Sequence, residues 1–118
     1  MVIKKIVLCT EKISLDKLSK FINSTTKDLD KIIIKEKEIT IEIYSVIPLA
    51  ILTTFKTTSL EGFSKRTIFL KIYQEINSLF RKLDPYKSEG IWGTKIEEIE
   101  FNYILYYPKL NKIKVSVS

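Results

Sequence analysis

Apolar positions recur along this chain with two periods, and the switches between them predict its elements. Val2 to Cys9 is rich in Ile and Val and predicts a strand. It is apolar on both faces around Ile6-Val7-Leu8, which predicts a central place in a sheet. Ser14 is a helix-capping residue, and Leu15, Leu18, Phe21 and Ile22 then follow at helical spacing. Asn23 to Thr26 ends that helix. Lys31 to Lys35 is a short β-branched run, and Glu36-Lys37 is a turn candidate. Glu38 to Ile47 alternates, with Ile39, Ile41 and Ile43 on one face and Thr40, Glu42 and Tyr44 on the other. A single strand from Lys31 to Ile47 is the alternative to a hairpin, because Glu-Lys is a poor turn pair.

Pro48 to Thr58 reads as strand or helix at its start, and its threonines favour extended structure. Glu61-Gly62 breaks it. Ser64 to Leu83 carries the clearest helical pattern: Phe69, Ile72, Tyr73, Ile76, Leu79, Phe80 and Leu83, capped by Ser64 and stopped by Asp84-Pro85. Residues 85–95 read as a loop. A strand follows, with Ile99, Phe101, Tyr103, Leu105 and Tyr107 expected on the core face and Ile104, Tyr106 and Leu110 on an apolar outer strip. Pro108 to Asn111 turns the chain. Ile113, Val115 and Val117 then alternate with Lys112, Lys114 and Ser116 in a closing hairpin strand.

This order predicts a single α+β domain over residues 1–118. Its expected form is a mostly antiparallel sheet of about five strands with two helices packed on one face. A ferredoxin-like core with an added C-terminal strand is one threading. In that threading the last strand leaves an open edge, which offers a homodimer by strand addition.

Composition narrows the chemistry. The chain has 118 residues and no histidine. Histidine general bases, Ser-His-Asp and Cys-His nucleophiles and histidine metal sites are therefore excluded. Glycines at 62, 90 and 93 build no phosphate loop before a helix, and no Cys/His metal spacing occurs. The expectation is a protein without cofactor or metal, and not an enzyme. Cys9 is the lone cysteine, which fits a reducing compartment. Lys4-Lys5 precedes too short an apolar run for an export signal, and no stretch has the length of a membrane span. A cytoplasmic location with no membrane partner is the expectation.

Twenty basic residues against fourteen acidic give +6, but eighteen of the twenty are Lys, beside twenty Ile and one Ala. That bias matches AT-rich coding and weakens the charge as a sign of nucleic-acid binding. The charge is also spread evenly along the chain, without a basic block.

The remaining candidates are side chains for recognition. Glu97, Glu98 and Glu100 form the one close acidic cluster. On a strand, Glu98 and Glu100 share a face, where they serve as a solvated surface or a carboxylate pair. Trp92, between Gly90 and Gly93, is a core plug or a loop anchor. Tyr44, Tyr86 and Tyr106 fall on polar faces or loops.

Ile68 to Ser118 resembles the C-terminal half of small bacterial immunity proteins of toxin–immunity systems. The resemblance lies in an amphipathic helix, the Ile91-Trp92-Gly93 loop, the Ile96-Glu97-Glu98-Ile99-Glu100 strand entry and a Tyr-rich hairpin ending Val-Ser-Val-Ser. It implies a binding protein that occludes a toxin's active site without doing chemistry. Many such proteins are acidic, and this chain departs from them in being basic. The surface expected to meet the partner is the 85–95 loop with the adjacent hairpin face. Tyr86, Trp92 and Tyr106 would be its anchors, and Glu97, Glu98 and Glu100 its charge complements. The alternative partner is nucleic acid, stacked on Tyr and Lys of a sheet face.

Overall fold

The structure is a computed structural model describing residues 4–9, 11–45, 50–84, 86, 90–91 and 94–118. The readings of Val2, Ile3, Pro48 and Trp92 fall outside these residues. Ten named elements follow in order: β1 (Ile6–Cys9), β2 (Ile13–Ser14), α1 (Leu15–Ile22), β3 (Ile32–Ile34), β4 (Glu38–Ser45), β5 (Ala50–Thr58), β6 (Phe63–Ser64), α2 (Lys65–Leu83), β7 (Glu100–Tyr107) and β8 (Lys112–Val117). The fold is α+β, with a mixed, mostly antiparallel main sheet, both helices on one side of it, and a two-stranded β3–β6 sheet.

The main sheet runs β1-β7-β8-β4-β5, and β2 continues the β1 edge along β7. All neighbours are antiparallel except β4 and β8. The last strand therefore does not add to an edge, as the ferredoxin-like threading with a C-terminal addition expects. It inserts at the centre, antiparallel to β7 and parallel to β4. The alternation in β8 explains this placement: Ile113 and Val115 meet Ile41 and Ile43 of β4 on one side and Tyr106 and Ile104 of β7 on the other. The free edges are β1 and β5 instead. Ile6 and Val7, expected in a central strand, lie about two-fifths exposed on the β1 edge.

Residues 31–45 form neither one long strand nor a hairpin with themselves. β3 leaves the main sheet and pairs with β6, just ahead of α2. Gly62 makes that turn at φ +89°, where a Cβ would run into the Ile34 carbonyl.

The core lies between sheet and helices. Ile39, Ile41 and Ile43 of β4, with Ile113, Val115 and Val117 of β8, meet Leu18 of α1 and Ile68, Ile72, Ile76 and Phe80 of α2. Both helices start at serine caps: Ser14 accepts from the Lys17 N–H and Ser64 from the Thr67 N–H, each at 3.1 Å. No helix among the described residues is long and apolar enough to cross a membrane.

Candidate functional site

A bulge in β7 decides which side chains reach the surface. Phe101 pairs with Val117, but Tyr103 pairs with Ser116, so Asn102 is an extra residue. Past it, every side chain changes face relative to unbroken alternation. Ile104 and Tyr106, expected outside, point into the core, and Tyr106 is only 6% exposed. Burial, then Glu36, pushes the Tyr106 hydroxyl above its ordinary pKa. Tyr103, Leu105 and Tyr107, expected inside, point to the outer face, where the two tyrosines are half-buried and Leu105 is buried beneath its neighbours. The bulge is held from within: the Asn102 amide donates to Ser116 Oγ at 3.2 Å and accepts from Ser118 Oγ at 3.2 Å.

The outer face is the side of the sheet that no helix covers among the described residues. Register places its side chains in rows. One row runs Tyr103, Ser116, Tyr44, Ile51. The next runs Val7, Leu105, Lys114, Glu42, Thr54. The third runs Tyr107, Lys112, Thr40, Lys56. Tyr44 and Tyr103 close over the small Ser116 with ring centroids 6.2 Å apart, edge to face, which leaves Ser116 at 0% exposure. Ile51 beside them is 61% exposed. Lys114 Nζ sits 5.4 Å from the Tyr107 ring centre. Two of the lysines on this face meet carboxylates, Lys112 with Glu42 at 3.7 Å and Lys56 with Glu38 at 4.0 Å. The face is thus aromatic and aliphatic at one end, with its charge largely balanced at the other.

The other sequence candidates are elsewhere. Ile96–Glu98 is a 3-10 turn ahead of β7, not part of a strand, so Glu98 and Glu100 share no strand face. Glu98 accepts from the Lys95 N–H at 3.2 Å and closes the turn, while Glu100 lies 3.9 Å from Lys12 Nζ. Glu97 opens onto a cleft of about 420 Å³ on the helix side, beside Asp16, Tyr73 and Arg81. Tyr86, just past α2, is 89% exposed. Trp92 lies outside the described residues. No group of three acidic or thiol side chains able to hold a metal occurs among the described residues. Burial raises the Cys9 thiol pKa, partly offset by a backbone hydrogen bond at Glu11 to the sulfur. The Sγ also donates to the Glu11 carbonyl at 3.4 Å.

Tyr44 was legible as an outer-face residue from alternation in β4. Tyr103 and Tyr107 were not, although one signal was present. A tight turn at 108–111 pairs Tyr107 with Lys112, and Lys112 belongs to the polar side of β8. No family model, curated protein or solved structure matches the chain.

Proposed function

We propose that this chain is a non-catalytic binding protein that neutralises a protein partner by covering it, in the manner of immunity proteins. The observation that carries the reading is the uncovered outer face. Tyr44, Tyr103, Tyr107, Val7 and Ile51 form an aromatic and aliphatic patch on the sheet, with no layer packed on it among the described residues. Tyrosines held by a scaffold supply contact area at low entropic cost, which suits an interface anchor. The pairing of Lys112 and Lys56 with glutamates supports a protein partner over a polyanion.

The test uses the tagged full chain as bait in its source cells, with nuclease treatment, beside a Tyr44→Ala/Tyr103→Ala variant. The expected result is a stoichiometric protein held by the parent and lost from the variant, whose growth-arresting activity the parent relieves. A protein captured equally by both, or one whose activity is unchanged, counts against the reading. Lys114 over Tyr107 favours one second reading, single-stranded nucleic acid stacked on the same tyrosines. That binding would fall steeply with salt.

A further inference from the structure

β5 is a long, undefended sheet edge. Ser59 donates its N–H to the Lys37 carbonyl at 2.8 Å, which fixes the parity of the ladder. Odd-numbered residues of β5 exchange hydrogen bonds with β4, and the N–H and C=O groups of Thr54, Lys56 and Thr58 point away from it. No backbone group pairs with them among the described residues. Proteins blunt such edges with short strands, bulges, prolines and charges. The β1 edge does so: it has four residues, a bulge at Leu8, and Lys4, Lys5 and Glu11 around it. β5 has nine residues, runs without a bulge from Thr53 to Thr58, and carries one charge, Lys56.

We propose that the β5 edge pairs with β5 of a second copy of this chain, antiparallel about a two-fold axis at Phe55. The sequence is self-complementary in that register. Phe55 faces its own counterpart in a non-hydrogen-bonded pair, the closer of the two pair types. Thr53 lies opposite Thr57, and Thr54 opposite Lys56. An axis one residue later sets Lys56 against Lys56, and one residue earlier sets Lys56 against the bulge at Leu52. Phe55 is half-buried at the rim of the core, and the second copy covers its remaining surface. The result is one continuous sheet across two copies. The pairing uses the edge and leaves the outer tyrosine face free, so it stands apart from the proposed function.

Sedimentation velocity of the full chain over a range of concentrations tests this. The expected result is a monomer–dimer equilibrium that strengthens with salt, because each copy carries +6. Thr54→Lys sets a lysine opposite Lys56 twice and is expected to weaken association about tenfold at low salt. Thr54→Pro removes an outward N–H and is expected to leave a monomer. Circular dichroism reports whether each variant is folded. Amide exchange of the unsubstituted chain is the second readout, with Thr54, Lys56 and Thr58 gaining protection as concentration rises. A monomer at every concentration overturns the proposal. So do folded variants that associate like the parent, or a dimer without that protection.

Discussion

Arg66 shows what a single residue does in a chain with eighteen lysines and two arginines. Its guanidinium donates to the carbonyls of Ile22 and Ser24 at 2.6 Å and of Thr26 at 2.9 Å, and its Nε to Asp30 at 2.7 Å. It satisfies the open C-terminal end of α1 and ties the loop after it to the start of α2. A lysine carries the same charge but not the planar fork. Arg66→Lys is expected to cost about 2–3 kcal/mol by urea unfolding, since several hydrogen bonds from a charged group are lost with the side chain only 20% exposed. A second effect at this scale concerns pH. Burial raises both the Cys9 thiol, ordinarily 9.0, and the Tyr106 hydroxyl, ordinarily 10.0. The folded chain therefore holds protons that the unfolded chain releases first. Stability is full below these values and falls as pH climbs through them. The urea midpoint is expected to drop between about pH 8 and pH 10.5, and less steeply in Cys9→Ser. An unchanged midpoint contradicts the burial of these groups.

At the scale of elements, the readable parts were those that local chemistry decides. Ser14 and Ser64 cap helices whose apolar spacing is strong, and β4 alternates without a break. The parts that failed depend on partners distant in sequence. β3 is three isoleucines, and nothing in them says that they pair with Phe63-Ser64. β7 is apolar on both faces after Asn102, so alternation alone cannot phase it, and the bulge reverses the expected result. This phasing is testable. Tyr106→Ala empties a core position and is expected to cost about 3–4 kcal/mol, whereas Tyr103→Ala on the outer face costs under about 1.5 kcal/mol. Equal losses would mean that the strand is not bulged. The β6 turn gives a further check. Gly62→Ala forces a side chain into a left-handed backbone position and against Ile34 O. The expected loss is about 1–3 kcal/mol by thermal or urea unfolding.

At the scale of the whole molecule, layers matter more than any one residue. Two helices cover one side of a five-position sheet, and among the described residues the other side stays open with tyrosines on it. The sequence candidates divide across this arrangement. Tyr106 joins the core, Glu97 opens on the helix side, and of the candidate tyrosines 44, 86 and 106 it is Tyr44 that lies on the open face. The positive charge does not concentrate there either, since Lys112 and Lys56 meet glutamates. The most direct measurement is the affinity of the captured partner for three forms of the chain, by titration calorimetry at two salt concentrations. These forms are the parent, Tyr44→Ala/Tyr103→Ala, and Lys82→Glu on the far side of the molecule. An outer-face protein interface predicts a loss of about thirtyfold or more in the tyrosine variant, with the Lys82 variant unchanged. Parent-like affinity in the folded tyrosine variant would contradict it.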